Sequence, residues 1–178
     1  MKLNSSRLTL RPFQAEDWRP LFSYLSDPDV VFYEPYDVFT EEGAQQEAKN
    51  RAKNKDFIAV CLQDTNQLIG NLYFSKREFN TYELGYVFSK EYQHQGYATE
   101  AATALLNYAF GTLDIHRVVA MCNPENKASW RLMKRLRMRR EGHFKQCAYF
   151  KSDPITGEPL WHDAYQYAVL KDEWLKQQ

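Results

Sequence analysis

The stretch "YELGYVFSKEYQHQGYATEA", residues 82–101, joins an aromatic, strand-like run to the start of an alanine-rich helix. Backbone N–H groups lack helical partners at such a junction, and they lie at the positive end of the helix dipole. This combination is typical of an anion site. The small residues Gly96 and Ala98 would let a phosphate reach the backbone, so the loop needs no lysine. The simpler alternative is a tight turn at Gly96 before a surface helix.

The composition argues against several classes of protein. The 178 residues carry a formal net charge of zero, so no overall field attracts nucleic acid or an anionic membrane. The three cysteines, Cys61, Cys122 and Cys147, form no CxxC pair, which argues against a disulfide framework or a zinc site. GxxxxGK[ST] and GxGxxG are absent, so neither a P-loop nor a Rossmann site is expected. We expect a cytoplasmic protein with no metal, no membrane segment and no direct contact with nucleic acid.

The order of the predicted elements indicates an α+β fold. Strands and helices follow one another as β, α, α, β, β, β, α, β, α, β, β, with hairpins early and late and one β-α-β crossover between them. We predict one domain over residues 1–178, with a mixed, mostly antiparallel sheet of about seven strands flanked by about four helices. Thr40 is predicted to cap the second helix, and Asn123 or Asn126 the fourth.

The junction also resembles a known family. "QHQGYA" at 93–98 is similar to the Q/R-x-x-G-x-G/A signature of the GNAT superfamily, the acetyl-CoA-dependent N-acetyltransferases. Three longer segments resemble its Rim-type branch, which includes ribosomal-protein N-terminal acetyltransferases. They are "SSRLTLRPFQAED", "YELGYVFSKEYQHQGYATEA" and "NPENKASWRLMKRL". Their order and spacing make the resemblance specific, and it extends over nearly the whole chain.

The resemblance implies an acetyl-CoA site along this junction. The pyrophosphate would lie on backbone N–H groups of the loop and the first helical turn, and the pantetheine arm would pair with the preceding strand. A bulge at Gly85 would open a slot for the acetyl group. The residues implied are Gln95, Gly96, Tyr97, Ala98 and Thr99 for the pyrophosphate, Val87, Phe88 and Ser89 for the pantetheine arm, and Asn123, Asn126 and Ser129 in a second cluster beside it.

Acetyl transfer needs the acceptor amine in its neutral form, so some group must remove its proton. Glu83 shares a strand face with Gly85 and Val87 and is the predicted general base. The alternative is an edge position with the Glu83 side chain in water. In the Rim-type branch a serine that matches Ser129 lies near the thioester, so Ser129 is the predicted general acid.

The chain departs from the family pattern at two places. Ribosomal members can use a glutamate after the "EG…KQ" segment, where this chain has "CAY" at 147–149. This argues against that base and against a ribosomal substrate, and Glu141 is an alternative carboxylate. The family's usual glycine after the fourth helix is replaced by Arg137, although glycine is favoured in a left-handed helix end.

The region that borders the acceptor site in the family is an apolar run here, "VVFYEPYDVF" at 30–39. Phe32, Tyr33 and Tyr36 are therefore predicted to bind the acceptor amine. The alternative is that these rings pack on the sheet or form a dimer contact.

We predict an N-acetyltransferase that moves the acetyl group of acetyl-CoA directly, in a sequential reaction, to the primary amine of a protein N-terminus or a small molecule. The alternative is a non-catalytic acyl-CoA-binding or regulatory protein on the same fold. The basic run "RLMKRLRMRR" at 131–140 is predicted to be an amphipathic helix, with Arg131 or Lys134 near the coenzyme's phosphates, rather than a nucleic-acid patch. A homodimer is compatible with either function.

Overall fold

Residues 1–176, which the computed structural model describes, fold around one sheet of eight strands. The predicted domain runs to residue 178, and its last two residues lie outside this described part. The strands are β1 Leu3–Asn4, β2 Leu8–Pro12, β3 Phe57–Leu62, β4 Leu68–Lys76, β5 Thr81–Phe88, β6 Arg117–Cys122, β7 Arg139–Ala148 and β8 His162–Leu170. Their order in the sheet is β1-β2-β3-β4-β5-β6-β8-β7. Neighbours are antiparallel except for β5 and β6, which are parallel.

Five helices accompany the sheet in the described part: α1 Trp18–Leu25, α2 Glu41–Lys53, α3 Tyr97–Gly111, α4 Lys127–Arg135 and α5 Lys171–Leu175. The predicted caps are present, since the Thr40 side chain accepts from the Gly43 N–H and the Asn126 side chain accepts from the Ser129 N–H, each at 3.1 Å. Within residues 1–176 no helix is long and apolar enough to cross a bilayer.

The α+β class and the mixed, mostly antiparallel sheet are confirmed, with one strand and one helix more than predicted. The additional strand, β1, has two residues and the additional helix, α5, has five. Neither is long enough to show a hydrophobic period in the sequence. The start of α5 is fixed instead by a polar contact, because the Glu173 carboxylate accepts from the Leu170 N–H at 2.8 Å.

Two apolar cores fill the two faces of the sheet. On one face α3 and α4 pack against the strands, and Ala101, Ala102 and Ala109 of α3 are completely buried. Their small side chains let the helix backbone lie close to the sheet. On the other face α1 and α2 pack around Leu21, Tyr24 and neighbouring apolar residues. The helical period of the alanines is therefore explained by burial against the sheet.

The sheet divides between its two parallel strands. β5 and β6 pair only at Thr81, Tyr82 and Glu83, whereas β5 remains paired with β4 as far as Phe88. The predicted bulge at Gly85 is wrong, because Gly85 lies in regular register opposite Tyr73. An added Cβ at Gly85 would lie 3.3 Å from the Tyr73 Cβ, so the glycine permits a close approach. The divergence of β5 from β6 makes the opening instead, and it leaves one backbone edge of β5 unpaired beyond Glu83.

Candidate active site

A cleft of about 950 Å³ lies at the place where β5 and β6 separate. Its walls come from the end of β5, the loop between β5 and α3, the first turns of α3 and α4, and the loop after α1. This volume is within the range of ordinary ligand sites. The cleft therefore gathers segments that are far apart in the sequence around the unpaired edge of β5.

The loop before α3 presents a row of unused backbone donors. The N–H groups of residues 94–99 donate no hydrogen bond to any part of the chain between residues 1 and 176. Gly96 precedes α3 with a φ of 84°, in the left-handed region that glycine adopts without strain. Gly96, Tyr97, Ala98 and Thr99 all line the cleft. This geometry is that of an anion site at a helix N-terminus.

An ion pair holds this loop against the N-terminal strand. The Arg7 Nε donates to the Glu100 carboxylate at 2.7 Å, and its Nη2 donates to the Gln95 carbonyl at 3.2 Å. The Arg7 guanidinium also lies 4.3 Å from the centre of the Tyr97 ring. Partial burial would raise the Glu100 pKa, but hydrogen bonds from Ser5, Arg7 and Ser6 outweigh it and hold that pKa at about 2. Only the Gln95 carbonyl contacts Arg7, since its side chain donates to the Glu91 carbonyl at 2.7 Å, and Gln95 does not line the cleft.

Two arginines of α4 provide positive charge beside the loop. Arg131 and Arg135 line the cleft, and the Arg135 Nε donates to the Thr99 hydroxyl at 3.1 Å. Arg131 was predicted from the sequence to lie near the coenzyme's phosphates, whereas Arg135 was not. Lys134, the other predicted phosphate contact, lies over the Trp130 ring and outside the cleft lining.

Two hydroxyl groups meet on the floor of the cleft. The Tyr86 hydroxyl lies 2.9 Å from the Ser129 Oγ and donates to the Ser129 carbonyl, also at 2.9 Å. Because the phenol has a single proton, the Ser129 hydroxyl is left to donate to the Tyr86 oxygen. Burial raises the Tyr86 pKa, so the phenol stays protonated at neutral pH. Tyr86 was missed in the sequence, since an aromatic residue in a strand is usually a core residue.

The remaining predicted cofactor residues divide into two groups. Val87, Phe88 and Asn126 line the cleft. Ser89 and Asn123 lie outside the lining, and each forms a hydrogen bond with the backbone of another residue. The Ser89 N–H donates to the Ile69 carbonyl, and the Asn123 side chain accepts from the Glu125 N–H, both at 2.9 Å.

The loop after α1 forms the opposite wall of the cleft. Tyr33 lines it, whereas Phe32 is 63% exposed and packs edge-on against the Tyr33 ring. Tyr36 lies outside the lining and packs against Phe39, with ring centres 5.4 Å apart. Between these aromatics Glu34 is half-buried and lines the cleft. Burial raises the Glu34 pKa to about 7, against the opposing effects of a hydrogen bond from Tyr36 and the charge of Arg51.

The two carboxylates singled out in the sequence lie outside this cleft lining. Glu83 accepts from the Arg77 guanidinium at 2.6 Å, near the end of the β4–β5 hairpin, and the roles predicted for it stay predictions. Glu141 is paired with Arg117 and Arg139, and the Arg117 contact is the main reason that its pKa is lowered.

Known proteins match this chain over most of its length. The family described as "Acetyltransferase (GNAT) domain" matches residues 7–139. "Uncharacterized N-acetyltransferase YnaD" of Bacillus subtilis (strain 168) is 44% identical over 176 residues, which is 98% of this chain and 99% of that protein. The crystal structure of an acetyltransferase (GNAT family) from Bacillus anthracis is 40% identical with a TM-score of 0.88, covering 97% of this chain and 100% of that one. The ribosomal protein uS5-alanine N-acetyltransferase of Escherichia coli (strain K12) is 32% identical over 114 residues, 62% of this chain and 55% of that protein.

The chain belongs to the GNAT acetyltransferase family, as the sequence resemblance implied. Its relatives include a ribosomal-protein alanine N-acetyltransferase, in agreement with the predicted branch. Dependence on acetyl-CoA is general in this family. The segments β7, β8 and α5, which lie mostly beyond the matched residues, complete the same sheet through the pairing of β8 with β6.

Proposed function

We propose that the protein transfers the acetyl group of acetyl-CoA directly to a primary amine. One observation carries the proposal: the unused N–H groups of His94 and residues 96–99 and the unpaired edge of β5 line one continuous cleft. The N–H groups suit a pyrophosphate, and the β5 edge suits an extended chain of amides. Acetyl-CoA has both parts, because its amide-containing pantetheine arm joins the pyrophosphate to the thioester. Arg131 and Arg135 add positive charge for its phosphates.

The residues of the cleft would share the binding of the coenzyme. Gly96, Tyr97, Ala98 and Thr99 would hold the pyrophosphate through their N–H groups, with Gln95 supporting the loop. Val87 and Phe88 would pair with the pantetheine arm, and Ser89 and Asn123 would act through the backbone around them. When bound, acetyl-CoA supplies the acetyl group as a thioester, whose C–S bond breaks as the C–N bond to the amine forms.

Ser129 is proposed as the proton donor at the sulfur atom. Its hydroxyl group lies in the cleft and in contact with the buried Tyr86 hydroxyl, so the pair can pass a proton between them. Asn126 positions Ser129 by accepting its backbone N–H. A cysteine intermediate is not part of the proposal, because burial raises the pKa of Cys122, the thiol nearest Ser129, to about 11.

The acceptor is proposed as the primary amine of a protein N-terminus or of a small molecule. Tyr33, with Phe32 and Tyr36 around it, would border this amine. The E. coli relative is named for the acetylation of an alanine in a ribosomal protein, which supports the amine class. The cysteines are unpaired in the structure, which supports a reducing compartment such as the cytoplasm. The proposal applies equally to a monomer and to a homodimer.

The test is a calorimetric titration of the pure protein with acetyl-CoA, followed by thiol release on addition of primary amines. We expect micromolar binding near one equivalent per chain and release that depends on the amine. Tight binding without release for any amine would favour the non-catalytic acyl-CoA-binding alternative, which the ion-paired state of Glu83 supports. Absence of binding would refute both functions.

A further inference from the structure

Three carboxylate side chains line the cleft: Asp29, Glu34 and Glu100. Two of them are neutralised, since Lys90 donates to Asp29 and Arg7 donates to Glu100. Glu34 forms no salt bridge with any residue between 1 and 176. Glu34 is therefore the cleft carboxylate whose charge is left to act on a ligand.

The surroundings of Glu34 are polar but do not neutralise it. Its carboxylate is hydrogen-bonded by Tyr36 on its own loop, and the charge of Arg51 on α2 acts on it. Arg51 is 2% exposed and already occupied, since its Nε donates to Glu47 at 2.7 Å and its Nη1 donates to Asn71 at 3.0 Å. Arg51 is therefore paired with Glu47 and Asn71 and forms no salt bridge with Glu34.

Glu34 faces the same space as the Tyr86–Ser129 pair. It approaches from the α1–α2 side of the sheet, whereas Ser129 belongs to α4 on the other side, and the gap between β5 and β6 joins the two. Burial is the main cause of the raised Tyr86 pKa, and the charge of Glu34 adds a smaller effect. A reacting centre in the gap would have a carboxylate on one side and two hydroxyl groups on the other.

We propose that the Glu34 carboxylate accepts the proton of the acceptor's ammonium group. This inference rests on the proposed function. The ammonium group gives one proton to Glu34, which later passes it to water, and the neutral amine attacks the thioester carbonyl. After the C–N bond forms, the nitrogen loses its second proton to water. The Ser129–Tyr86 pair donates a proton to the departing sulfur and regains one from water. The products are the amide and the thiol, and the atoms and charges balance.

The ionisation of Glu34 makes this role possible near neutral pH. Burial raises the Glu34 pKa to about 7, closer to that of an α-amino group, about 7.7–8.0, than an ordinary glutamate is. A base with such a pKa is effective near the working pH. Tyr36 and Arg51 act on the ionisation of Glu34, and Glu34 in turn acts on Tyr86. Asp29 also lines the cleft, and it is paired with Lys90.

The experiment compares Glu34→Gln with the wild type, and uses Glu42→Gln on the exposed start of α2 as the matched control. The amine probes are propylamine, the tripeptide Ala-Gly-Gly and spermidine, and thiol release is followed from pH 6 to 9.5. We expect Glu34→Gln to lower kcat by about 10²-fold or more and to remove a rise of activity near pH 7. The Kd for acetyl-CoA should stay within about threefold of the wild type, and Glu42→Gln should behave as wild type.

A titration of ¹³C-glutamate-labelled protein needs no acceptor. The side-chain signal missing from Glu34→Gln belongs to Glu34, and we expect its midpoint near pH 7 rather than near the ordinary value of 4.5. An ordinary midpoint would overturn the proposal, and this also decides the case in which no probe is acetylated.

Other results are equally decisive. Full kcat in Glu34→Gln would show that Glu34 is not the proton acceptor, and it would leave the proposed function intact. A loss of kcat in Glu83→Gln in the same assay would then assign that role to Glu83. A parallel loss of acetyl-CoA affinity in Glu34→Gln would reduce Glu34 to a structural role. If the wild type fails to bind acetyl-CoA, the proposed function itself is wrong.

Discussion

Gly96 is required by its backbone conformation rather than by lack of space. Its φ is 84°, and an added Cβ would meet only the Arg7 Nη2, at 3.5 Å. A side chain would therefore fit, but it would strain the left-handed conformation by about 1–2 kcal/mol. The small size of Gly96 was predicted to let a phosphate approach the backbone, and its left-handed conformation is a second reason for glycine at this position.

We expect Gly96→Ala to raise the Kd for acetyl-CoA by about 5- to 30-fold, because relief of the strain would turn the loop N–H groups away from the ligand. Calorimetric titration measures the effect. Gly111→Ala is the matched control, because Gly111 closes α3 with nothing within 4 Å of an added Cβ. Equal affinities for the two variants would show that the loop conformation does not determine binding.

At the scale of elements, α4 ends in a left-handed residue that is not glycine. Arg137 has a φ of 54°, and its N–H donates to the Lys134 carbonyl at 2.9 Å. The Met138 N–H donates to the Met133 carbonyl at 3.0 Å, which completes a hydrogen-bonded helix end. The neighbours Leu136 and Met138 are buried, so the chain must turn here to bury both.

Arg137→Gly should raise the free energy of unfolding by about 0.5–1 kcal/mol, since glycine removes the strain but adds disorder to the unfolded chain. Urea unfolding followed by circular dichroism measures the change. Arg137→Ala separates conformation from charge, because it removes the guanidinium but retains a Cβ. An equal gain in both variants would assign the effect to charge.

The sequence was sufficient to predict the helices and strands, but not which side chains face one another across the cleft. The junction at 93–98 could be predicted because its loop and helix are local. Period two correctly placed Glu83 on the face of Val87, but it could not show that β5 and β6 separate only after Glu83, or that Arg77 pairs with it. Glu34 and Tyr86 line one cleft at the gap between parallel strands, and no spacing in the sequence encodes this placement.

At the scale of the whole molecule, one ion pair connects the N-terminal segment to the loop before α3. Glu100, on the first turn of α3, accepts hydrogen bonds from Ser5, Ser6 and Arg7, some 93 to 95 residues away in the sequence. The contact joins the edge of the sheet to the candidate site. Its loss would therefore reduce the stability of the fold and the order of the loop together.

Glu100→Gln should lower the free energy of unfolding at pH 7, and the difference from wild type should shrink as the pH falls. The folded pKa, about 2, lies below the ordinary 4.5, so the stabilisation is present above pH 4.5 and is lost as the pH falls toward 2. Urea unfolding at pH 7, 4 and 2.5 tests this, with the exposed Glu42→Gln as control. A difference that does not vary with pH would show that Glu100 acts by packing alone.

The separation of β5 from β6 divides the molecule into two halves with different freedom to evolve. The loop after α1 belongs to one side of the sheet, and the loop before α3 and the start of α4 belong to the other. Asp29 is ion-paired with Lys90, and Glu34 has the proposed catalytic role. Substitutions at residues 30–33 and 35–37 can therefore accumulate without disturbing the N–H groups at 94–99. Under the proposed function, a directed library confined to those positions would explore new acceptor amines while the proposed coenzyme site stays unchanged.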